Sequence, residues 1–203
     1  MIAGDVPPRD VLPRGFFERD VELVAQQLLG KLLVRRNREG TCVGRIVETE
    51  AYLAEGDSAC HSFRGKTNKN ATMFGRPGLV YVYPIHARYC MNAVTEATGR
   101  ASAVLIRAVE PLAGIEIMQR RRGTDKLIDL CRGPARLCEA LGVDRRLDGW
   151  DFTRGQRLWL ATDPTRVETS QIRRSVRIGV TSAQEAELRF YVAENRFVSG
   201  PRK

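Results

Sequence analysis

Histidine is almost missing from this chain: of 203 residues, only His61 and His86 are histidines. The five cysteines, Cys42, Cys60, Cys90, Cys131 and Cys138, make an odd count with no CxxC pair and no spacing that suits zinc. They read as reduced, mostly buried thiols, and no metal site is expected. A cysteine nucleophile working with His61 would lack an orienting third group. No apolar run approaches the roughly 20 residues of a membrane span. Residues 1–13 are polar and contain prolines, without the apolar centre of a signal peptide. These absences give the expectation of a soluble intracellular protein, cytoplasmic or nucleoid-associated, with no membrane partner. Acidic residues are also in the minority, 24 Asp and Glu against 33 Lys and Arg, leaving a net charge of +9. That excess favours a polyanionic partner, nucleic acid first, although positive charge also describes a solvated surface with no such role. At 43% hydrophobic the chain is no disordered polyelectrolyte, and its length suits one domain with a sizeable core.

What is present is concentrated in residues 45–92, which begin RIVETEAY, pass ACHS and end YVYPIHARYCMN. Strand alternation puts Ile46, Glu48, Glu50 and Tyr52 on one face and Val47 and Thr49 on the other. A second strand over residues 79–83 puts Tyr81 and Tyr83 on one face and Val80 and Val82 on the other, and the connection between the two strands carries His61. An acid flanked by Tyr52, His61 and Tyr83 can hold a flat cationic ring while activating water beside it. The same residues also fit ordinary half-buried strands, in which tyrosine is common.

Elsewhere the pattern alternates between short helices and strands. Asp20 is a good N-cap for a helix through Val21, Val24 and Leu28, stopped by Gly30. A hairpin follows, with its turn at residues 37–40. Residues 53–78 form a long polar connection carrying Arg64, Lys66, Lys69 and Arg76. Antiparallel strands are expected at 79–83, 88–94 and 103–107, with residues 84–87 as a protruding tip. A helix after Pro111, marked by Leu112, Ile115 and Met118, ends in Arg120, Arg121 and Arg122, which suit either phosphate contact or the helix dipole. A second helix covers 135–141, and strands are expected around Trp159, at 176–180 and at 188–192. Residues 1–15 read as a flexible arm, and 16–203 as one domain.

The segments VETEAY, ACHS, MFGRPG and YVY followed by CMN closely resemble the alkyladenine (3-methyladenine) DNA glycosylase family. LLGKLLVR, LIRAVEPL, GPARLCEALGV, RIGV and LRFYV extend the likeness along nearly the whole chain. The resemblance implies an α+β fold: a single domain with a curved antiparallel sheet, flanking helices and a DNA-inserting hairpin. It also implies a monofunctional enzyme that flips a damaged purine out of duplex DNA and hydrolyses the bond to deoxyribose without metal or organic cofactor, acting as a monomer. Carried over by position, Glu50 is the water-activating acid, with Arg107 beside the water and the DNA backbone. Tyr52, His61 and Tyr83 stack on the base, Ala59 faces it through its carbonyl, and Asn92 lines the pocket.

One segment departs from the pattern. The tip reads Pro84, Ile85, His86, Ala87 and is one residue short, which puts His86 near the family's intercalating tyrosine and makes Ile85 and His86 the wedge candidates. Arg64, Lys66, Lys69 and Arg76 are the candidates for backbone phosphate. Three other readings compete: a non-catalytic damaged-DNA-binding module on the same scaffold, a hydrolase of small nucleosides or glycosides, and an RNA-modifying enzyme.

Overall fold

Asp20 caps its helix as its side chain allows, accepting a hydrogen bond from the Leu23 backbone N–H at 3.0 Å. The computed structural model describes residues 10–200, in which a four-residue helix α1 (Arg14–Phe17) precedes this helix, α2 (Val21–Gln27). Val21, Val24, Ala25 and Leu28 are buried, the helical spacing giving one apolar face. Of the arm expected over residues 1–15, residues 1–9 lie outside the described residues. The remainder is packed: Val11 bridges to Ala161, Leu12 is buried, and Arg14 pairs with Asp151 at 2.6 Å.

Eight strands follow: β1 (Leu32–Asn37), β2 (Gly40–Tyr52), β3 (Val80–Ile85), β4 (Arg88–Thr95), β5 (Ser102–Ala113), β6 (Leu158–Ala161), β7 (Ile172–Ser175) and β8 (Arg189–Val192). Helices α3 (Ile115–Arg122) and α4 (Pro134–Leu141) lie between β5 and β6. The sheet is open and antiparallel in the order β3-β4-β5-β2-β1-β6, with β8 also paired to β2 and β7 to β8. No helix among the described residues is long and apolar enough to cross a membrane.

The expected hairpin, the YVY strand and the Trp159 strand are all present. Four details differ. Pro111 and Leu112 belong to β5, so the helix starts only at Ile115, after Gly114 in a left-handed conformation (φ 70°). Residues 176–180 form no strand; the pairing partner of β8 is Ile172–Ser175 instead. Two of the three arginines ending α3 are neither solvated nor held by the helix dipole alone: they pair with acids of other segments, Arg121 with Glu39 at 2.5 Å and Arg122 with Glu139 at 2.5 Å. The fourth difference shapes the site. Ile46 pairs with Val109 and Glu48 with Ala108, while Thr49 pairs with Ile106, so β2 gains Val47 and β5 gains Arg107 as bulged residues. A bulge shifts the alternation, and Ile46 joins the main core while Val47 and Glu48 share the opposite side of the sheet. Beyond the bulge, Thr49 bonds the Ala25 carbonyl of α2 and Ala51 lies in the core, which leaves Glu50 and Tyr52 on the side of Glu48.

Candidate active site

On that face one row crosses the sheet in register: Tyr81 opposite Asn92, Asn92 opposite Leu105, Leu105 opposite Glu50, and Glu50 opposite Arg189. Val80 and Val82 face the main core, as alternation requires, leaving Tyr81 and Tyr83 on the site face. The ring of His61 meets that of Tyr83 edge-on at 4.5 Å, and its Nδ1 lies 2.9 Å from the Tyr81 hydroxyl. Tyr52, Ala59, His61, Tyr83 and Asn92 line one cleft of about 570 Å³, with Arg64 and Ile85 on its walls. The opposite wall, residues 179–182, was not anticipated.

Glu50 is fully buried, and it and Arg107 stand behind the cleft rather than in its wall. Glu50 Oε1 accepts from the Ile178 N–H at 2.7 Å and pairs with Arg107 Nη1 at 3.1 Å. Among the described residues its Oε2 accepts only from the Tyr52 hydroxyl, at 3.0 Å. A carboxylate offers about four acceptor positions, so Oε2 keeps one for a further donor such as water. Tyr52 is half-buried and forms the link between acid and cleft. Burial and the Glu50 carboxylate raise its pKa far above the usual phenol value, so it stays a proton donor toward Glu50. The imidazole of His61 opens to the cleft, while the protein packed behind it lowers its pKa below the ordinary 6.5, leaving it neutral near pH 7.

Besides Arg107, these groups are held by charges to which the sequence assigned no role. Glu48 is fully buried and accepts from Arg107 Nε at 3.0 Å, Arg189 Nε at 2.7 Å and the Ser199 N–H at 2.7 Å. Asp57 takes a fork from Arg177 at 2.6 and 2.7 Å, tying the 53–78 connection to the segment that donates to Glu50. The Arg177 guanidinium lies 4.6 Å from the centre of the Tyr52 ring, leaving the other ring face for the cleft. Acid spacing on a strand predicts Glu48, but nothing local predicts Arg189 as its neighbour or Arg177 as that of Asp57, because both arginines reach the site through chain crossings. The long connection is ordered by Asn70, whose amide donates to the carbonyls of His61 at 2.8 Å and Gly65 at 3.0 Å.

The profile of the Methylpurine-DNA glycosylase (MPG) family matches residues 15–196. The chain belongs to the methylpurine-DNA glycosylase family. Its relatives include proteins provisionally named 3-methyladenine DNA glycosylase. That of Mesorhizobium japonicum is 48% identical over 98% of this chain and 93% of its own length. Those of Rhodopirellula baltica (48% identical; 91% of this chain, 81% of its own length) and Carboxydothermus hydrogenoformans (45%; 93% and 98%) are similar over most of both sequences. As a glycosylase the protein is a hydrolase of the DNA-repair class. The loop cations expected on its DNA face are not equivalent. Arg64 lines the cleft, Lys66 and Lys69 are exposed, and Arg76 reaches Asp151 at 3.4 Å, where Arg14 is already bound.

Proposed function

We propose that the glycosylase receives an alkylated purine, flipped from duplex DNA, between Tyr52, His61 and Tyr83, and hydrolyses its bond to deoxyribose with water activated by Glu50. The observation that carries this reading is the position of Glu50, fixed behind the aromatic cleft with one oxygen bonded, among the described residues, only to the Tyr52 hydroxyl. Chemistry at the sugar carbon requires the nucleotide to leave the stack. Alkylation at N3 or N7 makes the base cationic, which strengthens its stacking on tyrosine faces by roughly 0.5 to 2 kcal/mol and makes it a good leaving group. The carbon–nitrogen bond breaks with its electron pair going to the base. The water oxygen bonds to the sugar carbon, and Glu50 takes the released proton. Arg107, held between Glu48 and Glu50, fixes the acid during this step. Since Glu50 has no exposed surface, water reaches Oε2 as Tyr52 moves from its bonded position on entry of the base.

Neutral hypoxanthine or etheno-adenine would need a proton on the departing ring. His61 is neutral, and its Nδ1 is engaged with Tyr81, so the cleft favours cationic lesions. Arg64, Lys66, Lys69 and the tip residues Ile85 and His86 supply the DNA contacts in this reading.

The test is a set of duplexes, each with one defined lesion, incubated with the protein and then cleaved at abasic sites with alkali. Release of 3-methyladenine and 7-methylguanine well ahead of hypoxanthine and etheno-adenine is expected. Preferential release of the neutral bases would overturn the specificity argument, and binding without release of any base would leave a damaged-DNA-binding module instead.

A further inference from the structure

A second cleft lies at the far end of β2. Gly40, at the β1–β2 turn, is ten residues from Glu50, roughly 33 Å of extended chain. The turn, residues 144–147 and the chain entering β6 enclose about 650 Å³, with Arg35, Arg36, Arg38, Arg146 and Arg157 in the lining. Two carboxylates share it, and both are already engaged, Glu39 by Arg121 at 2.5 Å and Asp144 by Arg146 at 2.6 Å. The other four lining arginines form no salt bridge among the described residues. Arg36 and Arg157 rest instead over the rings of Trp159 and Trp150, at 5.0 and 5.1 Å.

Arg35 is the most telling of them. It is only 8% exposed, and its Nη1 donates to the carbonyls of Arg36 at 2.9 Å and Arg157 at 3.0 Å. Its Nε is buried with no hydrogen-bond partner among the described residues. Keeping a guanidinium out of water is costly unless it is fully paired; burial first, then Arg157 and Arg121, pull the Arg35 pKa below the usual arginine value, and the nearby Asp144, itself engaged by Arg146, offsets them only in part. An anion in the cleft would remove that penalty.

We propose that this cleft binds a multiply charged oxyanion of the phosphate type, with Arg35 as its buried anchor. Planar guanidinium forks match phosphate oxygens in pairs. Five arginines against two carboxylates leave an excess suited to a phosphomonoester or pyrophosphate group more than to the single charge of a phosphodiester. Two sources carry this chemistry: a free pyrophosphate-type molecule and the terminal phosphate of a nucleic-acid strand.

Calorimetric titration of the full chain with pyrophosphate, at constant ionic strength, tests the site. Saturable binding is expected, weakened about tenfold in Arg35→Met, the loss of one charge-assisted hydrogen bond, and by a smaller factor in Arg38→Gln. Circular dichroism and base excision should be unchanged in both. Arg38 is exposed, so its variant keeps the test open if Arg35→Met folds poorly. Competition with a short lesion-free duplex then separates the sources. Displacement only by the 5′-phosphorylated duplex assigns a strand end, and displacement by neither form assigns a free anion. Equal displacement by both forms, no saturable binding, or undiminished binding in both variants would overturn the proposal.

Discussion

Glu48, Glu50 and Arg107, behind the cleft, are at most 5% exposed and bonded to one another or to backbone. Arg64 and Ile85, on its walls, and His86, Lys66 and Lys69, outside its lining, are exposed, and none of these is in a salt bridge among the described residues. The contrast fits the roles proposed for the two sets. An acid that activates water works only if its position and charge are set before substrate arrives, which requires burial with partners. Cations and wedges that meet DNA gain by staying solvated until phosphate or an opened stack replaces the water. Loss of a back-wall residue should therefore alter the chemistry or the fold, and loss of a rim residue only the engagement of duplex.

The largest effect is expected at Glu50. Glu50→Gln should lower single-turnover release of 3-methyladenine by at least about 10²-fold, the contribution of a positioned general base, with lesion binding retained. Substantial turnover in this variant would remove Glu50 from the chemistry. Glu48 tests whether the two buried acids differ in kind. Because Glu48 neutralises both Arg107 and Arg189, Glu48→Gln should destabilise the fold by about 3 to 5 kcal/mol, the cost of breaking a buried pair. Urea unfolding would measure it. A smaller loss of stability than in Glu50→Gln would show that Glu48 is not the supporting member.

Next come the tyrosines, where back wall and rim meet. Tyr83→Leu should weaken excision of cationic bases by roughly 0.5 to 2 kcal/mol, the cation–π increment, with little change on a neutral lesion. Tyr52→Leu should cost more, since it also removes the hydroxyl that donates to Glu50 Oε2, and Tyr52→Phe separates the two contributions. Equal losses on cationic and neutral lesions would deny the stacking role to either ring.

Local pattern revealed the elements whose residues are close in sequence. The Asp20 cap, the β1–β2 hairpin and the alternation of Tyr81 and Tyr83 follow from side-chain chemistry and strand period alone. The paired bulge at Val47 and Arg107 does not, since each extra residue is defined only against the other strand. The simple alternation consequently placed Ile46 on the wrong side while placing Glu50 and Tyr52 together. Pro111 suggested a break, yet it sits inside β5, a reminder that proline is tolerated at strand ends and irregularities. Arg177 and Arg189 became visible only once the chain had crossed back to the site, for a buried ion pair leaves no periodic trace.

The hairpin tip offers the smallest and most selective test. His86 and Ala87 make a two-residue turn between paired Ile85 and Arg88, with His86 at φ 51°. A positive φ is uncommon for a residue with a side chain, and this first turn position is one where glycine is usually favoured. Ile85 is 42% exposed and lines the cleft, whereas His86 belongs to the turn outside that lining. A side chain that fills the space left by a flipped base must be apolar and next to the pocket, which favours Ile85. Ile85→Ala is therefore expected to reduce excision from duplex DNA several times more than from a single strand with the same lesion, because only the duplex has a stack to hold open. For His86→Ala the difference between substrates should be smaller, and His86→Gly should relieve the turn and raise thermal stability by up to about 1 kcal/mol. Equal losses on duplex and single strand in Ile85→Ala would assign the tip to general surface contact, and a larger duplex-specific loss in His86→Ala would make the imidazole the wedge.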